Sequence, residues 1–173
     1  RTPLALADIP QNIKQATIAI EDRDFYKHQG FSLRGIVRAI VQTKVRGKLQ
    51  GGSTITQQLM KSSLLTPEIK LSRKIKEIVL AFWAERIYTK NQILEMYLNQ
   101  VPYGGTAWGV EAASQTYFDK SAKNLNLAEA ALLAGLPAAP TLYSPFGSRP
   151  EMAFERQKEV LRRMAEDGYI TKQ

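Results

Sequence analysis

The chain has 173 residues, the length of one domain, and is long enough to bury about two-thirds of the surface its unfolded form exposes. With 44% hydrophobic and 23% charged residues it is neither disordered nor collagen-like, and with no cysteine it has no disulfide, thiolate metal site or Cys nucleophile. Lys and Arg number 24 against 16 Asp and Glu, and the net charge of +8 calls for an anionic partner: nucleic acid, an acidic membrane surface or a phosphorylated substrate.

Helix starts recur along the chain and strand signals are scarce. Pro10 followed by Gln11 to Glu21 reads as a first helix with proline in its opening turn. Ser32 to Lys44 places Leu33, Ile36, Val37, Ile40 and Val41 on one helical face, with Arg34, Arg38, Lys44, Arg46 and Lys48 around and after it. Gly47 and Gly51-Gly52 mark a loop. Thr54 with Gln57 fits a capping box opening a helix to about Leu65, and Thr66-Pro67-Glu68 is a further start. Ile75 to Tyr88 is apolar on nearly every face, which predicts a helix buried all round. Thr89 with Gln92 opens the next helix, to about Asn99, and Tyr103 to Gly109 is loop. Asn126 with Glu129 opens an Ala- and Leu-rich helix stopped by Pro137, and a charged last helix runs from Pro150-Glu151 to Gly168. The fold class is mainly α, in a single domain over 1–173. No apolar run reaches the roughly 18 residues of a membrane span. The start at Arg1 without Met is expected of a piece excised from a longer chain with a membrane anchor upstream.

Three features could carry chemistry. Glu21-Asp22-Arg23-Asp24 puts acids at the C-terminal, negative pole of the first helix. Either the helix turns into solvent there, or a carboxylate sits at the lip of a cleft with its pKa raised toward the range of a general base. Glu77 in Arg73-Lys74-Ile75-Lys76-Glu77 is the last charge before an apolar stretch, and shares a face with Arg73 opposite Ile75, Val79 and Phe82. It is either half of a surface ion pair or a partly buried carboxylate held ionised by cations. Gly51-Gly52-Ser53-Thr54 leads into a helix whose free N–H groups could hold an anion, or is simply a capped helix after a loop. Lys61, Lys70, Arg73, Lys74 and Lys76 follow, a cluster suited to a pyrophosphate. Two carboxylates on separate elements are the usual apparatus for making or breaking a glycosidic bond.

These stretches resemble, in order, the signatures of the peptidoglycan glycosyltransferases (glycosyltransferase family 51), the polymerase domains of class A penicillin-binding proteins and of monofunctional transglycosylases. The residues that carry the resemblance are Glu21 to Gly30 with Arg38-Ala39, Gly51 to Gln58, Arg73 to Glu77, Ile93 to Asn99, and Ala130 to Pro140. The resemblance implies a lysozyme-like helical larger lobe and a smaller membrane-facing lobe at about 31–52. It implies that lipid II is joined to the growing lipid-linked glycan by inverting transfer, with release of undecaprenyl pyrophosphate, at the outer face of the bacterial cytoplasmic membrane. A transpeptidase domain elsewhere in a parent chain would be a further partner; no nucleic acid is required.

Carried over by the same resemblance, Glu21 is the general base and Glu77 the second carboxylate, near the pyrophosphate. Asp22 is the acidic neighbour that reaches the sugar or a divalent cation (Mg or Mn); no organic cofactor is implied. Lys61 and Lys74 hold the diphosphate, Ser53, Gln57 and Gln58 line the cleft, and Phe25, Lys70 and Arg73 complete the substrate-binding set. His28 is expected to be structural. Two positions depart from the family pattern: Ile69-Lys70 where many members place an Arg, and Asp119 where Gly is common. The competing readings are a lysozyme-like enzyme that cleaves glycan, which needs no cation cluster beside Glu77, and a basic helical nucleic-acid-binding module, whose cations would gather on one recognition helix.

Overall fold

A computed structural model describes residues 3–34, 37, 52–64 and 71–171. After a 3-10 turn at Leu6–Asp8 come α1 (Gln11–Glu21), α2 (Ile55–Leu64), α3 (Leu71–Ile87), α4 (Lys90–Gln100) and α5 (Val110–Phe118). A second 3-10 turn, Ala122–Asn124, leads to α6 (Leu127–Gly135) and α7 (Glu151–Glu166). Among the described residues there is no strand, and one isolated bridge joins Pro102 to Trp108 across the loop after α4. The mainly α expectation therefore holds. The helix expected from Ser32, the start at Thr66, Lys70 and nearly all of the expected smaller lobe lie outside the described residues.

Helix α1 is the central element. It buries Ile13, Ala16, Thr17, Ile18, Ala19 and Ile20, too wide an arc for a surface helix. It packs against α6 and α7, which also pack on each other. Helix α6 can lie this deep because Ala130 to Gly135 carry no polar side chain. Helix α7 is amphipathic and turns Ala153, Val160 and Met164 inward. On the other side, α2 packs against α3 and α4. A clip joins these three: the Thr56 hydroxyl donates to Glu85 at 2.7 Å, and Lys90 pairs with the same carboxylate at 2.8 Å.

The local signals set most boundaries. Thr89 with Gln92 and Asn126 with Glu129 form complete capping boxes. Pro10 and Pro150 stand one position before their helices, at the caps, and Asp119 ends α5 in the left-handed region with φ of 52°. Thr54 makes only half of its expected box. Its hydroxyl accepts from the Gln57 N–H, but the Gln57 side chain turns away to the Gly30 carbonyl and to Lys74.

One expectation fails. Helix α3 is not buried all round: Ile75, Val79, Trp83 and Ile87 are 57, 48, 54 and 70% exposed. Their spacing of four sets them in one row along the helix, and the opposite row, Glu77, Ala81 and Ala84, is the buried one. The small side chains on that buried row admit a neighbouring backbone. Gly30, at φ of +90°, lies so close that a Cβ there would stand 2.7 Å from the Ala81 carbonyl oxygen. Gly30→Ala should therefore cost about 2 kcal/mol or more, from backbone strain and overpacking together. Urea unfolding measures this; an unchanged midpoint would show that the approach is not tight.

Candidate functional site

Two helix ends of opposite polarity meet at the site. The C-terminal end of α1 supplies Glu21 and Asp22, and the N-terminal end of α2 supplies Ser53, Thr54, Gln57 and Gln58. Asp22 links them. Its carboxylate accepts the Ile55 N–H at 3.0 Å, at the positive pole of α2, and faces His28 Nε2 at 2.8 Å from each oxygen. The Gly30 N–H donates to His28 Nδ1 at 3.1 Å, so Nε2 carries the ring proton and donates it to Asp22. His28 thus ties Asp22 to the loop that carries Gly30. The conflict of acids at a negative pole is relieved in the same way elsewhere: Arg163 donates to the Ile20 carbonyl at 3.1 Å, and Arg23 pairs with Asp167.

Glu21 is the last residue of α1, and its side chain is 8% exposed. Oε2 accepts from Gln58 Nε2 at 2.8 Å, and Oε1 lies 3.6 Å from an Arg156 nitrogen. Gln58 is oriented in turn by the Tyr97 hydroxyl, which donates to its Oε1 at 3.1 Å. Burial and the nearby Glu21 push the Tyr97 pKa far up, which keeps it a donor. Burial also raises the Glu21 pKa above 4.5; Arg156, Gln58 and Arg163 oppose that rise, and Asp22 adds to it. The result is a desolvated carboxylate with one oxygen, Oε1, that accepts no hydrogen bond.

The second cluster forms on α3. Glu77 is 3% exposed and lies between two cations, with Lys74 Nζ at 3.0 Å from Oε2 and Arg73 Nε at 3.2 Å from Oε1. Lys74 also donates to Ser53 Oγ at 2.6 Å and to Gln57 Oε1 at 3.3 Å. Gln57 and Gln58 are adjacent on α2 and diverge by the turn of the helix, one toward Lys74 and the other toward Glu21. Ser53 touches both clusters, because its carbonyl accepts from Gln58 at 3.4 Å while its hydroxyl meets Lys74.

The structure thus gathers Glu21, Asp22, Ser53, Gln57, Gln58, Arg73, Lys74 and Glu77 around the start of α2. Other expected residues stand elsewhere. Phe25 is fully buried, edge-on to Tyr26 and His28 and beneath the Lys90 ammonium, so it is a core residue with no surface for substrate. Lys61 is exposed one helical turn beyond Gln57 and Gln58. Asp22 spends its oxygens on His28 and Ile55, and among the described residues no group of three or more His, Asp or Glu could hold a metal ion. The donor set at Asp22 therefore does not fit a cation. The start of α2 is likewise not wholly free for an anion, since Asp22 occupies its first N–H and Thr54 its third.

Sequence reasoning gives no role to Tyr97, Arg156 or Arg163. The one available signal for Arg156 is its place in the buried stripe of α7, in register with Ala153, Val160 and Met164.

The model of the transglycosylase family matches residues 1–165. The penicillin-binding protein 1A of Aquifex aeolicus is 50% identical over 169 residues, covering 97% of this chain and 23% of that protein. The penicillin-binding protein 1A of Pseudomonas aeruginosa is 45% identical over 174 residues, covering 100% and 21%. A crystal structure of penicillin-binding protein 1A from Haemophilus influenzae superposes with a TM-score of 0.57 at 28% identity, over 99% of this chain and 16% of that one. The chain spans less than a quarter of the length of these relatives.

Removing the Asp22 carboxylate leaves the Ile55 N–H and the His28 N–H without their acceptor. Asp22→Ala should cost about 2–4 kcal/mol of stability, read by urea unfolding. A loss below about 0.5 kcal/mol would mean that the two helix ends hold together without it.

Proposed function

This chain belongs to the transglycosylase family, and on that premise we propose that it polymerises lipid II into glycan strands by inverting transfer, releasing undecaprenyl pyrophosphate. The observation that carries this reading is the contrast between the two carboxylates. Glu21 is desolvated, with a neutral amide on one oxygen and a single guanidinium 3.6 Å from the other, whereas Glu77 is enclosed by an ammonium at 3.0 Å and a guanidinium at 3.2 Å. A buried carboxylate with a raised pKa suits proton abstraction near neutral pH. A carboxylate that anchors cations suits the end of the site where negative charge develops on a leaving group.

In this mechanism Glu21 takes the proton from the acceptor sugar's 4-hydroxyl. The freed oxygen attacks C1 of the lipid-linked sugar from the face opposite the pyrophosphate, and the C1–O bond to the pyrophosphate breaks. Lys74 and Arg73 neutralise the departing anion. The three N–H donors of Lys74 are spent on Ser53, Gln57 and Glu77. An entering phosphate oxygen displaces the neutral acceptors, since it adds a close Coulombic attraction to the ammonium that a hydroxyl or amide oxygen lacks. Glu77 stays paired and keeps the ammonium in place. No step passes through a divalent cation. A glycan-cleaving enzyme would have no use for this cation cluster.

A lipid-anchored substrate places the enzyme at a membrane surface, and we propose the outer face of the cytoplasmic membrane. The row Ile75, Val79, Trp83 and Ile87 supports this, being an apolar face with Arg86 stacked 4.2 Å above Phe82 at its side. Among the described residues no helix is long and apolar enough to cross a membrane. The length of the relatives beyond the matched region leaves room for a transpeptidase domain in a parent chain.

Purified protein should convert lipid II to polymer and be inhibited by moenomycin; cleavage of finished glycan without polymerisation would instead mark a lysozyme-like enzyme. Glu21→Gln should lower polymerisation by roughly 10²–10⁴-fold, and wild-type turnover in that variant would remove Glu21 from the base role. Glu77→Gln should also lose most activity, with the loss growing as lipid II becomes scarce. Since Glu21 must be ionised, kcat/KM should fall with falling pH through a midpoint above the ordinary carboxylate value of 4.5. A midpoint at or below that value contradicts a desolvated base. Val79→Ser with Trp83→Ser should weaken co-sedimentation with anionic vesicles without lowering the unfolding midpoint; unchanged sedimentation would show that this row does not meet lipid.

A further inference from the structure

We infer that Arg156, on the C-terminal helix α7, is a positioning residue for Glu21: its guanidinium lies against Oε1 while Gln58 holds Oε2, so the two together fix the orientation and the charge of the carboxylate. The inference rests on the base role proposed above for Glu21.

The geometry is that of a built pair. The Arg156 side chain is 18% exposed and that of Glu21 8%, so both charges have left water and each needs the other. The separation of 3.6 Å is an ion-pair distance without a hydrogen bond, and Glu21 Oε1 and Arg156 Nε both remain without a hydrogen-bond partner. Oε2, in contrast, is committed to Gln58. Arg156 thus stabilises the negative charge without consuming a lone pair of Oε1.

Three features hold the guanidinium where it is. It stacks 5.3 Å above the Tyr143 ring. Its aliphatic stem runs over α6 at Gly135, where a Cβ would stand 2.7 Å from Arg156 Cγ, so any larger residue would push the stem away. One turn pair further along α7, Arg163 fixes the helix to the Ile20 carbonyl, directly before Glu21. The partner also sets Arg156 apart from its neighbours. Lys158, Arg162 and Arg163 pair with acids of their own helix, and Arg149 with Glu151, whereas the carboxylate that Arg156 faces belongs to another element.

The test is a double-mutant cycle on the full chain, with lipid II polymerisation and urea unfolding as separate readouts. Arg156→Met should lower kcat roughly 10- to 100-fold, with KM for lipid II within about twofold, because misplacing a base costs chemistry rather than binding. Arg156→Lys should recover part of the loss, since it restores charge but not the planar stack. In the residual turnover of Glu21→Gln, Arg156→Met should add less than about a twofold loss. An equal loss in both backgrounds, or a loss confined to KM, overturns the inference. If Arg156→Met does not fold, Gly135→Ala keeps the charge and displaces only the stem. It should lower kcat several-fold with unchanged helical circular dichroism, and unchanged kcat would overturn the inference. If the unsubstituted chain leaves lipid II unpolymerised, the proposed function fails, and unfolding alone judges the pair. Non-additivity of about tenfold in the unfolding equilibrium then supports the pairing, and additivity overturns it.

Discussion

A helix that ends in two carboxylates carries negative charge at its own negative pole, and the arrangement around Glu21 and Asp22 answers that conflict. Asp22 escapes by turning to the start of α2, where the dipole has the opposite sign. Glu21 stays, and is held by an amide on one oxygen and a guanidinium near the other. The start of α2, the His28 loop and two arginines of α7 all make contacts that satisfy this end of α1. A fold optimised for stability alone would replace the two carboxylates. Their retention at the meeting point of three helices fits a site in which a desolvated charge is useful.

The two carboxylates sit in unlike surroundings. Around Glu21 the compensating groups are few and partly neutral, so burial prevails and the proton is bound more tightly. Around Glu77, two cations belong to the same helix, at three and four residues' distance, so pairing is enforced by the helix itself. Ser53 lies between and contacts both clusters with different atoms. A shift of the α2 start would be felt at both carboxylates together.

Much of this was legible in the amino-acid order where the deciding interactions are local. The capping boxes at Thr89 and Asn126, the prolines before α1 and α7, and the left-handed Asp119 all act within a few residues. The clustering of Arg73, Lys74 and Glu77 is equally local, being one helical turn. What was not legible depends on partners far along the chain. Helix α3 has apolar residues on nearly every side, and the approach of Gly30 and the packing of α2 and α4 select which row is buried. Phe25 lies inside a signature yet serves the core, because the loop it stands on folds back beneath Lys90. Nothing near Asp22 announces that its oxygens will be consumed by Ile55 and His28. Arg156 announces itself only as a charge in an otherwise apolar stripe.

The tie between Arg163 and Ile20 spans 143 positions. During synthesis, the first helix leaves the ribosome long before the helix that encloses its acidic end. Until α7 arrives, Glu21 has neither its nearby guanidinium nor its seal from water, so the nascent domain has the parts of a site without its electrostatics. Closing so long a loop is entropically slow and brings the ends together late. The surroundings of Glu21 are therefore a property of the completed fold, and a break in the segment between α6 and α7 would loosen them without touching any residue around Glu77.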